Sequence, residues 1–138
     1  MNRFFKFLPL SIVIGVVLIS CSQEDNNVIS DVQSLKIDSV KLASETMTLG
    51  SSQSITTYSQ FQENCEGFYG YDYKSNVNER VVTALSFKNE DVCGSKKVTG
   101  ASFINFAPKE IGTYSFRFWQ GKNSSGNDIW LTKTIVVN

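Results

Sequence analysis

After its first 20 residues the chain alternates polar and apolar side chains in short runs and nowhere sustains a helical period. Successive side chains of a strand point to opposite faces, so alternation of this kind predicts half-buried β-strands. Leu35 and Ile37 alternate, and Val40 and Leu42 do so in the opposite phase, which predicts a bulge or a break between them. Ile55 to Phe61 and Phe68 to Tyr73 are rich in Thr, Tyr and Phe. Val81, Thr83, Leu85 and Phe87 mark the inward face of a further strand, reached through the turn-like Ser75 to Asn78. Phe103 to Phe106, Thr113 to Gln120 and Ile129 to Val137 bring the set to about seven. Short strands at this spacing predict an all-β fold, a sandwich or barrel.

The N-terminus is of a different kind. Arg3 and Lys6 precede a run from Phe7 to Ile19 that only Pro9, Ser11 and Gly15 interrupt. A membrane-spanning helix needs about 20 apolar residues. A positive head with a shorter apolar core reads instead as a secretory signal. Leu18-Ile19-Ser20-Cys21 resembles the lipobox of bacterial lipoproteins, in which an aliphatic and a small residue precede an obligatory cysteine. The alternative is an ordinary signal peptide followed by a coincidental cysteine. The resemblance implies cleavage before Cys21, lipidation of its thiol and acylation of the new amine. It also makes the membrane the first partner, since several long acyl chains anchor stably. Ser22-Gln23-Glu24-Asp25-Asn26 is similar to the acidic tag of Bacteroidota-type surface lipoproteins, which implies the outer membrane with the domain facing outward. The chain is thus expected to divide into a signal peptide (1–20), a lipidated cysteine with a polar tether (21–33) and one domain (34–138).

Removing 20 residues from 138 leaves 118, enough for one core and a tether. The signal holds two of the 13 basic residues and none of the 13 acidic ones, so the mature chain carries 11 against 13, a net −2. Nucleic acid recognition needs a clustered basic face, and the pair Lys96-Lys97 does not make one. With Cys21 assigned to lipid, Cys65 and Cys93 remain, an even pair in an exported chain, and a disulfide is expected. Metal ligation is the competing use of two thiols, but the chain has no histidine and no Cys-x-x-Cys spacing.

Phe106-Ala107-Pro108-Lys109-Glu110-Ile111-Gly112-Thr113-Tyr114-Ser115-Phe116 resembles the tyrosine corner of immunoglobulin-like domains, where an acidic residue, a glycine and a tyrosine alternate. Here Glu110, Gly112 and Tyr114 take those places. The resemblance implies an antiparallel immunoglobulin-like sandwich whose tyrosine hydroxyl bonds backbone upstream. Antibody domains carry a cysteine two residues after the tyrosine; this chain has Phe116, so their inter-sheet disulfide is not reproduced.

Catalysis finds little support. Without histidine, Ser–His and Cys–His chemistry is excluded. Glu63 with Glu66, or Glu90 with Asp91, could serve as paired carboxylates, but they sit in connecting loops and read as solvated turn residues. Asn123 to Asp128 offers oxygen ligands without the spacing of a dedicated calcium loop, and reads as a hairpin turn. No catalytic residue, metal or cofactor is therefore expected. Two classes remain: a surface module that binds glycan, host protein or envelope protein, and a structural accessory of an envelope complex. The sharpest binding candidate is aromatic. Alternation puts Trp119 and Arg117 on the face opposite Tyr114, Phe116 and Phe118, and Trp130, Thr132 and Thr134 on the face opposite Ile129, Leu131, Ile135 and Val137. A hairpin centred on Ser124-Ser125 would set Trp119 beside Trp130 and Arg117 beside Thr132, with Tyr69, Tyr71 and Tyr73 adjoining. Such a pair could equally serve only to stabilise the hairpin.

Overall fold

The computed structural model describes residues 29–89 and 92–138. The expected signal peptide, Cys21, the first part of the expected tether and the Glu90-Asp91 pair lie outside the described residues. Those described form nine strands and no helix: β1 (Ile29–Leu35), β2 (Ser39–Leu42), β3 (Thr46–Met47), β4 (Gln53–Glu63), β5 (Glu66–Asn76), β6 (Glu79–Asn89), β7 (Ser95–Phe106), β8 (Gly112–Lys122) and β9 (Asp128–Val137). The all-β expectation holds. Strand β1 takes up residues 29–33, which were expected to form the end of the tether.

The strands make two sheets. In the larger, β6 is flanked by β5 along one edge. Its other edge is shared: residues 79–82 pair with β8, and residues 84–89 pair with β1. Strand β9 continues the sheet from β8, and the two-residue β3 ends it. The smaller sheet is β2-β4-β7. Two pairings are parallel, β6 with β8 and β3 with β9, where a wholly antiparallel sandwich was expected. Parallel neighbours need a long crossover. Here β7 supplies it, because the chain leaves β6, runs along the other sheet, and returns as β8.

The phase break before β2 marks this change of sheet. Ile37 N–H donates to the Trp119 carbonyl in the larger sheet, and Asp38 N–H donates to the Tyr58 carbonyl in the smaller. Leu35 and Ile37 therefore face the core from one side, while Val40 and Leu42 pack on it from the other. The fully enclosed centre is Ile37, Ile55, Val82, Phe116, Phe118 and Ile135. Phe106 meets Tyr114 and Phe116 edge to face, with centroids 5.1 and 4.9 Å apart.

One inward face differs in phase from the expectation. Val82, Ala84 and Ser86 of β6 are buried, and Val81, Thr83, Leu85 and Phe87 lie on the opposite face, half-buried. The larger side chains lost to the smaller ones because the core has rings to accommodate. Tyr73, Tyr71 and Phe68 of β5 stand opposite Val82, Ala84 and Ser86, and close packing requires small residues beside large ones. On the other face Phe87 lies over Gly67, where any Cβ would come within 2.6 Å of the ring.

The Cys65–Cys93 disulfide is present, with Cα atoms 5.3 Å apart. It joins the β4–β5 connection to the β6–β7 connection, the two places where the chain changes sheet at that end. Asn64 and Gly94 add a pair of hydrogen bonds, Asn64 N–H to the Gly94 carbonyl (3.0 Å) and Gly94 N–H to Asn64 Oδ1 (2.8 Å). At the opposite end Tyr114 Oη donates to the Glu110 carbonyl at 2.9 Å, the bond that the corner motif predicts.

Candidate binding surfaces

The β8–β9 hairpin builds the first surface. Asn123 Oδ1 accepts the N–H groups of Ser125 (3.0 Å) and Asn127 (2.9 Å), and Gly126 turns the chain at φ +82°. An asparagine that bonds its own following backbone and a glycine at positive φ are what a tight turn requires. The Asn123 to Asp128 segment is thus a hairpin turn. Its register sets Trp119 opposite Trp130 and Arg117 opposite Thr132, as the alternation predicts.

The two indoles are half-buried on the outer face of the larger sheet. The Arg117 guanidinium lies 4.7 Å from the centroid of the Trp130 ring and 3.4 Å from Glu79 Oε1. Glu79 comes within reach only through the parallel β6–β8 pairing. Trp119 Nε1–H donates to Asp128 Oδ1 at 2.9 Å, and Lys122 Nζ is 3.0 Å from the same oxygen. The indole hydrogen bond, then Lys122, hold the Asp128 carboxyl below its ordinary value. Each ring is thereby fixed in orientation by a charged neighbour. Trp119, but not Trp130, also borders a cleft of about 300 Å³ that takes in residues of both sheets, among them Gln33, Leu35, Ser86, Gln60 and Gln62.

The three tyrosines do not adjoin the indoles. A bulge in β5 between Phe68 and Gly70 shifts the phase by one residue, and a one-residue shift exchanges the faces of everything beyond it. Tyr69, the residue at the bulge, is 53% exposed. Tyr71, half-buried, and Tyr73, still 40% exposed, lie on the inner face of β5 and line a second surface, a cleft of about 700 Å³ bounded also by Arg80, Tyr114 and the chain from Ile104 to Glu110. The Tyr71 hydroxyl is 2.7 Å from Thr57 Oγ1. Burial raises the Tyr71 phenol above its ordinary value, opposed by hydrogen bonds to Thr57 and Ser102. Burial raises Tyr73 as well, against the lowering effect of Arg80. The Arg80 guanidinium lies over the Tyr114 ring, 5.1 Å from its centroid, and Nη1 donates to the carbonyls of Val77 (2.8 Å) and Glu79 (2.9 Å). Arg80 carries no sign of this role in the sequence. Nothing local distinguishes it, and only the register of β6 on β8 brings it to Tyr114.

Glu63 and Glu66 have structural work. Glu66 Oε2 accepts the N–H groups of Gln62 (2.6 Å) and Glu63 (3.3 Å), closing the β4–β5 turn. Lys88 Nζ lies 3.2 Å from Glu63 and 3.7 Å from Glu66, and the hydrogen bond to Glu63 foremost raises its ammonium. Glu63, Cys65 and Cys93 offer atoms close enough to share a metal ion, but the two sulfurs are bonded to each other and present no thiolate. No family model, curated protein or solved structure matches the chain.

Proposed function

We propose that the protein is a lipid-anchored, non-catalytic binding module held on the outer membrane through Cys21 and facing the cell exterior. The observation that carries the binding reading is the Trp119–Trp130 pair, set side by side on an outer sheet face with Arg117 against one ring and Asp128 on the other. Flat aromatic faces suit stacking on sugar rings or anchoring a protein partner, where Trp and Arg are enriched. Gln33, Gln60 and Gln62 line the cleft that Trp119 borders; their amides would match the hydroxyls of a glycan, and glycan is the ligand class favoured. The anchor rests on the lipobox residues Leu18 to Cys21. An immunoglobulin-like assignment of the sandwich draws support from the Tyr114 corner; the parallel β6–β8 contact departs from it.

The test is a Trp119→Ala, Trp130→Ala double variant, screened with the native protein on a glycan array and in pull-downs from envelope extracts. Loss of binding in a variant with a native melting profile supports the reading. Unchanged affinity in a folded double variant leaves the indoles as sheet packing, and no ligand for either protein favours the envelope-accessory role. For the anchor, Cys21→Ala should abolish incorporation of labelled palmitate and partition into detergent. A variant that remains membrane-bound, with no label entering the native protein, removes the lipoprotein reading.

A further inference from the structure

The two sheets end unequally on one side of the sandwich. The larger ends at β5 and the smaller at β7, and both strands start from the Cys65–Cys93 disulfide and run away from it. Tyr71 reaches across to Thr57; Tyr73, two residues on, turns to Arg80 in its own sheet. From there the cleft of about 700 Å³ opens, and the two strands border it in different ways. Strand β5 contributes alternate residues, Tyr71, Tyr73 and Ser75, and hence its inner face. Of β7, the last three residues Ile104, Asn105 and Phe106 all line the cleft, so the strand meets it with the end of its backbone edge, and the connection from Ala107 to Glu110 continues the rim. That edge is unpaired among the described residues, because β7 bonds only to β4.

An uncovered inner face and an unpaired strand edge around one space define the position of another strand. Paired strands lie about 4.8 Å apart and packed sheets about 10 Å apart. A strand beside β7 would therefore lie over β5. We infer that this cleft is an acceptor site for an extended polypeptide segment of a partner, which joins the smaller sheet next to β7 and lays alternate side chains on Tyr71 and Tyr73. Strand addition draws affinity from main-chain hydrogen bonds and specificity from alternate side chains.

Charge narrows the occupant. Lys96 and Lys97 stand at the start of β7, and lysines on an edge oppose pairing there. From Val98 to Ala107 the chain carries no charge, which places docking on the second half of the strand. At the far end Arg80 is held against Tyr114 and carbonyl oxygens, while Lys109 and Glu110 stand together on the rim and offset each other, which leaves Arg80 as the net charge of the cleft. The segment is thus apolar at alternate positions and carries a carboxylate where it passes Arg80. The site is independent of the indole ledge, which lies on the other face of the larger sheet.

The probe is a panel of ten-residue peptides alternating threonine with valine, leucine or phenylalanine, each ending in glutamate or in lysine, titrated into the full chain in detergent. At least one glutamate peptide should bind in the micromolar range, slow amide exchange of residues 101–106, and bind about tenfold more tightly than its lysine counterpart. Arg80→Gln should erase the preference for glutamate, and Tyr73→Ala should weaken both peptides. The Trp119→Ala, Trp130→Ala double variant should bind as the native chain does, which separates this site from the glycan reading. Absence of binding by every peptide below millimolar concentration overturns the inference. So does protection appearing elsewhere than β7, or a concentration-dependent dimer formed through β7, which would make a second copy the occupant.

Discussion

The disulfide end and the corner end of the β5–β7 side are built from the same two strands, yet they treat the gap between the sheets in opposite ways. At the disulfide end Cys65–Cys93, the Asn64–Gly94 hydrogen bonds and the Glu66 turn cap close the gap. At the corner end no side chain of β5 beyond Tyr71 is bonded to the smaller sheet among the described residues, and the cleft remains. Cross-links placed at one end can therefore hold two sheets in register while the other end keeps space for a ligand. Local stability follows the same gradient, because regions with fewer cross-links open at lower cost.

The largest effect should come from cutting the closed end. Replacing Cys65 and Cys93 with serine frees a loop of 28 residues in sequence separation, worth about 3–4 kcal/mol in the loop-entropy model. A fall in Tm of more than about 10 °C is expected for a domain of this size. A fall of only a degree or two would mean that the hydrogen bonds close this end unaided.

Next comes the boundary between the two regimes. Tyr71→Phe removes the phenol bonded to Thr57 and should cost about 1 kcal/mol, whereas Tyr73→Phe, two residues further into the open end, should leave denaturant midpoints nearly unchanged. Equal losses would move the boundary. The same tyrosines sharpen the comparison by pH. Both phenols are raised above 10.0 by burial, so the folded state retains their protons longer than the unfolded one. Their contribution to stability is complete below pH 10.0 and is lost as pH rises through the folded values. Ultraviolet titration should show phenol ionisation extending above pH 10.0, and Tyr71→Phe should remove part of that late phase.

The smallest effect lies on the indole ledge. Asp128 is held below 3.8 by Trp119 and Lys122, so its contribution is present above pH 3.8 and lost as pH falls through the folded value. The group is exposed, and the effect on melting should be slight. Asp128→Asn should flatten the acid limb of the melting profile and change the Trp119 environment in indole fluorescence. An unchanged acid limb would show that the Asp128 contact adds nothing to the ledge.

The chain by itself determines its local patterns and the consequences of cysteine parity. Alternation gave the strands, and the Asn123 to Gly126 turn with its flanking alternation gave the register of Trp119 on Trp130. With Cys21 set aside as the lipobox cysteine, Cys65 and Cys93 gave the disulfide, and the resemblance of Glu110, Gly112 and Tyr114 to a tyrosine corner implied the corner bond. Each is encoded within a few residues or by elimination. The tertiary structure decided the rest. A period of two defines two faces without saying which is inward, so β6 could turn Val82, Ala84 and Ser86 to the core once the rings of β5 needed small partners. A single residue at the β5 bulge exchanged the faces of Tyr71 and Tyr73 and moved them from the ledge to the cleft. The pairing of β6 with β8 joins residues some 36 positions apart, such as Arg80 and Phe116. No local pattern encodes it, because strand neighbours are chosen by the packing of the whole sandwich, and it alone brings Arg80 to Tyr114 and Glu79 to Arg117.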